Sequence, residues 1–378
     1  MRTPVCDLLG VDFPLFAFSH CRDVVVAVSK AGGFGVLGAV GYSPDELEAE
    51  LRWIDDRVGG RPYGIDLAIP ENMSVKYEQG LTSSSLKQRI PPQHHAFVDA
   101  LLRRHGIDPY SAAPSDEDRA VGLMHDTAER CMDVAFRHPI RFIVQALGLP
   151  PQSMIDRGRA AGVPVGALVG SAEHAIRQVE MGVDVIVAQG TEAGGHCGEV
   201  STMVLVPEVI RAVAGVGAKH TPVLAAGGIV SGRQMAAAMT MGADGAWTGS
   251  VWLPTVESEI SQVMREKFLA ARSRDTVRSR ASSGKLARQL RSAWTEAWEQ
   301  PDSPGYLQMP FQPMLTAAVM QRATKAAEAG SESARQLVNY YVGQGVGLLD
   351  DIKSARTVVQ EFMEDYAAAL ERVQTLSA

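Results

Sequence analysis

The 378-residue sequence is poor in several features that mark whole classes of protein. Its four cysteines, Cys6, Cys21, Cys131 and Cys197, are widely spread and form neither a C-x-x-C pair nor a zinc-finger spacing. That argues against a disulfide framework or a metal site and reads as reduced thiols in a cytoplasmic protein. There is no basic stripe, and the formal net charge of −7 argues against nucleic acid or an anionic membrane as main partner. Long apolar runs are also missing. The most apolar region, Val24 to Tyr42, is interrupted by Lys30 and five glycines, so it is no membrane span, and Met1 to Gly10 carries Asp7 in place of a signal-peptide core. No G-x-G-x-x-G follows a strand, so a dedicated dinucleotide fold is not expected.

What the sequence does contain is alternation. Apolar residues make up 46% of the chain, enough for one large α/β domain or two smaller ones. Apolar runs at Phe13–Phe18, Phe34–Val40, Tyr63–Ile69, Arg141–Ala146, Val163–Val169, Val183–Ala188, Pro222–Ala226 and Gly245–Thr248 read as strands, and amphipathic segments separate them. Eight strands with helices between them predict a (β/α)8 TIM barrel over residues 1–255, with the ligand site at the C-terminal ends of the strands. The echo between Met181-Gly182-Val183-Asp184 and Met241-Gly242-Ala243-Asp244 places two successive βα units on one template. Residues 71–117 interrupt the alternation after strand three with Pro91-Pro92, Pro109 and a serine run, and read as a lid over the mouth or a solvated excursion. Beyond 255 the strand signal fades. Glu266–Arg272, Lys285–Glu299, Met314–Ala329, Ala334–Tyr341 and Ile352–Val373 read as helices that close the barrel and form a helical subdomain over 256–378.

Two sets of residues carry chemistry. After strand six comes Gln189-Gly190-Thr191-Glu192-Ala193-Gly194-Gly195-His196-Cys197-Gly198, with four glycines in nine residues around one imidazole and one thiol. The glycines let backbone approach a ligand, and an imidazole titrating near neutrality suits acid–base work. After strands seven and eight stand Gly227-Gly228 and Gly249-Ser250, where exposed N–H groups and a hydroxyl fit a barrel phosphate site. The basic run Arg278, Arg280, Lys285 and Arg288 reads as a solvated helix face or as an aid to phosphate binding.

These motifs, with Ala31-Gly32-Gly33-Phe34-Gly35 and Asp275-Thr276, resemble the nitronate monooxygenase family, formerly the 2-nitropropane dioxygenases, over nearly the whole chain. The Glu-Ala-Gly-Gly-His-x-Gly loop is the most specific element. The resemblance implies non-covalent FMN, a small-molecule substrate with O2, and His196 as catalytic base or proton donor; a homodimer is a candidate assembly. It places Ala17, Phe18, Asp66, Gln189, Gly190, Gly194, Gly195, Gly227, Gly228, Gly249 and Ser250 around the cofactor. Departures from the family pattern bear on the substrate: Pro164 stands near where a lysine is frequent, and Cys197 follows the histidine where Arg or Thr is common. Ala17-Phe18-Ser19-His20 replaces an Ala-Pro-Met-type stretch and brings His20 to the mouth as a second imidazole, and Asp66 stands where Asn is expected. The same barrel serves flavin-dependent reductases of enoyl and other acyl thioesters that use NAD(P)H, and a non-redox phosphoryl-binding barrel is the rival outside enzymology.

Overall fold

The computed structural model describes residues 2–69, 83–111, 125–217 and 220–377. Eleven strands are present among them: β1 Leu15–Ser19, β2 Phe34–Gly38, β3 Tyr63–Leu67, β4 Phe142–Gln145, β5 Val165–Val169, β6 Val185–Gln189, β7 Gly195–His196, β8 Val223–Ala226, β9 Gly245–Thr248, β10 Thr276–Ser279 and β11 Ala287–Leu290. Eight of them close a parallel barrel in the order β1-β2-β3-β4-β5-β6-β8-β9. Closure is direct, with Leu15, Phe16 and Ala17 of β1 in register with Ala246, Trp247 and Thr248 of β9.

Period-two alternation gives each strand two jobs. Residues such as Leu15, Ala17, Ile65 and Val165 face outward into the core shared with the surrounding helices. Phe16, Phe34, Val36, Phe142, Val144, Val185, Val187, Leu224 and Trp247 face inward and fill the barrel. The Phe16 ring lies 5.2 Å from that of Phe34 and 6.3 Å from the indole of Trp247, so the interior is an aromatic plug. Val5 and Leu9 of the short helix Pro4–Leu9 join the same cluster. Thr3 Oγ1 donates to the carbonyl of Asp244, just before β9, which fixes that helix at the end of the barrel opposite the ligand mouth.

The chain after β9 differs from the sequence expectation in two ways. Lys285–Glu299 is not one helix: it contains β11 followed by the short helix Ala293–Ala297, and β10-β11-β7 form a separate three-stranded sheet. All four residues of β11 are buried, so no amphipathic period distinguishes strand from helix, and its partner β7 is only two residues long and far away in sequence. The order of the parts also differs. The region following β9 packs as a second core around Phe268, Trp294, Trp298, Leu315, Val319 and Leu337. Only then does helix Ala355–Ser377 return to the barrel, burying Ala355, Val358, Val359 and Phe362 in the barrel's own outer layer. It lies so close to helix Gly232–Thr240 that a Cβ on Gly232 would sit 2.0 Å from the Phe362 carbonyl oxygen.

Part of the 71–117 segment lies outside the described residues. Its described portion is no solvated excursion: Leu86, Ile90, Val98, Leu101, Leu102 and Ile107 are buried in the second core with Trp294 and Trp298.

Candidate active site

The loop after β6 is folded by its own backbone. Gly190 N–H donates to Ala226 O (2.9 Å), Thr191 N–H to Val200 O (2.8 Å) and Ala193 N–H to Gly190 O (3.1 Å). The chain then pairs as β7 with β11, placing His196 opposite Ala287 and Gly195 opposite Arg288. His196 Nε2 is 2.8 Å from Ser283 Oγ, whose hydroxyl donates to Lys285 O at 3.1 Å. The Tyr341 ring is 6.3 Å from the imidazole. Burial, with the Lys285 charge second, pulls His196 down to about 4, so the ring is neutral at neutral pH. Burial likewise pushes the Tyr341 phenol up to about 12.

The loop glycines have a different purpose from the one expected of them. A Cβ on Gly190 would lie 2.2 Å from Thr202 Oγ1, on Gly194 2.8 Å from Gly343 N, on Gly198 2.8 Å from Gly170 O, and on Gly227 2.5 Å from Thr202 Oγ1. These four are small because loop packs on loop. Gly195 and Gly249 alone in this group face open space, with nothing within 4 Å of a Cβ. Thr202 is the centre of the packing: its hydroxyl contacts Glu192 Oε2 (2.9 Å) and the carbonyls of Ala226 (3.2 Å) and Gly227 (2.9 Å). Glu192 Oε2 also accepts from Thr202 N–H, so this carboxylate serves the start of helix Thr202–Val213.

Gly227 and Gly228, with φ of 111° and 72°, form the turn after β8 that only glycine adopts freely. Among the described residues, no carbonyl accepts from the N–H of Gly227, Gly228 or Gly249. Ser250 Oγ accepts from Gly343 N–H at 2.8 Å, and Gln344 N–H donates to Glu192 O at 2.8 Å. The Gly343-Gln344-Gly345 segment is therefore clamped between the His loop and the β9 loop. In the sequence, two glycines flanking one polar residue are the signal of this close backbone packing.

Residues at the ends of β1 to β3 form the other wall. Phe18 stacks at 6.1 Å on Trp247 and meets the His20 ring edge-on at 5.1 Å. His20 is exposed, with Nδ1 2.7 Å from Gly38 O. Ala17 points its side chain outward into the helix-facing core, so only its backbone borders the mouth. Gln189, at the end of β6, follows Val185 and Val187 on the inward face. Asp66 is 1% exposed with neither carboxyl oxygen hydrogen-bonded among the described residues, and burial raises its pKa well above the usual carboxylate range. Arg288 is not on a solvated helix face: it is 7% exposed and gives Nε–H to Thr191 O (2.7 Å) and an Nη1–H to Thr276 Oγ1 (3.0 Å).

This architecture has known counterparts. Residues 3–365 match the nitronate monooxygenase family. The chain is 51% identical over 381 residues to the candidate monooxygenase Rv1533 of Mycobacterium tuberculosis (strain ATCC 25618 / H37Rv), covering 100% of this chain and 99% of that protein. Among solved structures it superposes on the nitroalkane oxidase from Streptomyces ansochromogenes with a TM-score of 0.77 at 23% identity, covering 97% of this chain and 99% of the other. FabK from Thermotoga maritima gives a TM-score of 0.72 at 25% identity, covering 100% and 99%. No helix among the described residues is long and apolar enough to cross a membrane. The chain thus belongs to the nitronate monooxygenase family and is an oxidoreductase of that type.

Proposed function

We propose that the protein is an FMN-dependent nitronate monooxygenase that oxidises alkyl nitronates and nitroalkanes with O2. The residues present fit the cofactor. Three untaken N–H groups at Gly227, Gly228 and Gly249, with the Ser250 hydroxyl beside them, offer a phosphate the donor set it needs. Open space at Gly195 and Gly249 admits a flat ring close to the backbone. Phe18, Gln189 and Asp66, with the backbone of Ala17, Gly190 and Gly194, would border it. Bound there, the flavin supplies the electron transfer to O2 that no side chain performs.

The observation that carries the reading is the fixed, neutral imidazole of His196. With the Ser283 hydroxyl donating to Lys285 O, its oxygen can accept from a His196 Nε2–H, an arrangement that would leave the Nδ1 lone pair to take a proton. A neutral nitroalkane must lose its α-proton to become the nitronate, and His196 is the group placed to receive it. A substrate supplied as the anion needs no base, and His196 then only donates a hydrogen bond once protonated.

The test is His196→Asn. Asn cannot accept a proton at neutral pH, so turnover of the neutral nitroalkane should fall by about a hundredfold to ten-thousandfold, while the pre-formed nitronate retains most of its rate and the flavin stays bound. Equal losses on both substrates would remove His196 from the base role. The pH profile sharpens the test. A base works in its neutral form, so wild-type kcat/KM for the nitroalkane should persist down through mildly acidic pH and fall as pH drops through about 4, the depressed value for His196. An acid limb near the ordinary histidine value, about 6.5, would contradict the assignment.

A second reading, reduction of an enoyl or other acyl thioester by NAD(P)H, draws on the full-length likeness to FabK and on Phe18 and His20 in place of the family's usual stretch. It assigns His196 to protonating the reduced product and requires rapid bleaching of the flavin by a nicotinamide. A protein that stays colourless after reconstitution would sink both readings in favour of a phosphoryl-binding barrel.

A further inference from the structure

Asp66 is a carboxyl group for which the fold provides nothing. Both oxygens are fully enclosed and make no hydrogen bond among the described residues. Its direction follows from the strand. A Cβ on Gly64 would lie 2.9 Å from Phe34 Cε1 and 3.2 Å from Phe142 Cβ, two rings of the barrel plug, so Gly64 faces the interior. Two residues on, Asp66 faces the same way, one layer nearer the C-terminal rim. Its register neighbours are Gly38 on β2 and Val144 on β4. Val144 is apolar, and Gly38 is covered by the Phe18 ring and the His20 imidazole, which a Cβ there would meet at 2.7 and 2.8 Å. His20, just after β1, lies 2.7 Å by its Nδ1 from the Gly38 carbonyl.

An ionised carboxylate in that position would be buried with neither a counter-charge nor a donor, which proteins avoid by keeping the group neutral. A neutral carboxylic acid has one O–H to give and one oxygen left to accept. We propose that Asp66 stands protonated in the working protein and gives its O–H to an acceptor atom on the edge of the flavin ring at the barrel mouth. This rests on the flavin reading given above. The edge of the isoalloxazine carries carbonyl oxygens and ring nitrogens, whose lone pairs a carboxylate would repel and a carboxylic acid satisfies. The amide side chain expected at this place donates in the same way without titrating. The departure from Asn to Asp thus preserves the hydrogen bond only while the proton stays on.

Infrared difference spectra and flavin titrations test this without reference to turnover. Spectra of FMN-loaded wild type minus FMN-loaded Asp66→Asn at neutral pH should contain a protonated-carboxyl carbonyl band. That band should shift in D2O and shift again when the bound flavin is photoreduced under anaerobic conditions. In fluorescence titrations of the apoproteins, Asp66→Asn should bind FMN within about threefold of wild type, while Asp66→Ala, with no donor, should bind about tenfold more weakly. Absence of the band shows an ionised carboxylate and overturns the proposal. So does a band indifferent to flavin reduction, or an Ala variant that binds as tightly as the Asn variant. If Asp66→Ala does not fold, the band and its response to reduction decide alone. A wild-type protein that takes up no FMN defeats the flavin reading itself, a result distinct from FMN that binds beside an ionised or indifferent Asp66.

Discussion

At the β6, β8 and β9 side of the barrel mouth the contacts are made by backbone, whereas at the β1 to β3 side they are made by side chains. On the first wall, glycines at 190, 194, 198 and 227 let the loops and the Gly343 segment close on one another and on the Thr202 hydroxyl, and among the described residues no carbonyl accepts from the N–H groups of Gly227, Gly228 and Gly249. On the second, Phe18, His20 and Asp66 bring rings and a carboxyl, and one of these polar groups is left unmet. The difference suggests a division of labour. Under the proposed flavin reading, the phosphate tail would be held by peptide groups, whereas the reacting side would be surrounded by side chains that can change with the substrate. Departures of this sequence from its family pattern fall on both walls: Phe18, His20 and Asp66 on the second, and Cys197, next to His196, on the first.

The strongest way to break this comparison is to put a side chain into the first wall. In Gly190→Val the new atoms would fall 2.2 to 2.6 Å from Thr202 Oγ1, N and Cα, which are held by the Glu192 carboxylate and cannot swing aside. Overpacking of this kind costs about 3 kcal/mol, and the variant should lose both flavin and several degrees of thermal stability. A variant with unchanged Tm and full yellow absorbance would show that the loop packing is looser than described.

The next effect concerns the segment after β3. Leu102 is 1% exposed in the core shared by helix Pro92–Arg104 and the region around Trp294 and Trp298. Leu102→Ala should therefore cost about 3 kcal/mol by denaturant unfolding, where a lid resting on the surface would lose almost nothing. The lid reading drawn from sequence predicted the reverse, a change in substrate affinity with little change in stability, and the buried residues of the helix argue against it.

The smallest effect sharpens the contrast within the glycines themselves. Gly195 has open space around it but a φ of 78°, so Gly195→Ala brings strain without collision. It should cost about 1 kcal/mol and leave the fold intact, with FMN affinity reduced if the ring approaches this backbone. A loss as large as that of Gly190→Val would erase the distinction between glycines that pack and glycines that face the ligand.

The barrel was legible in the sequence because its strands are mostly buried on both sides and read as short, largely apolar runs. Val185–Ala188 and Val223–Ala226 show nothing else, and glycines bound them. His196 could be singled out from the sequence as a candidate because its glycine loop resembles that of the nitronate monooxygenase family. Its supports could not. Ser283, Lys285 and Tyr341 lie 87 or more residues from His196 in sequence and reach it through the pairing of β7 with β11. Strands of two and four residues containing Arg and Gln give no period to detect. In the sequence, a glycine needed for close packing and one needed for ligand approach look alike until Thr202 and Gly343 are placed beside them. Asp66 was visible as an oddity of the β3 end, and only the fold shows that it has no partner.

The measurement that tests the account most directly is anaerobic mixing of the FMN-loaded protein with single reductants, followed at the flavin's visible band. A nitronate anion alone should bleach the band in both wild type and His196→Asn. The neutral nitroalkane should bleach it only in wild type, and NADH and NADPH should leave it unchanged. Bleaching by a nicotinamide without any response to nitronate would contradict the monooxygenase account and establish the reductase in its place.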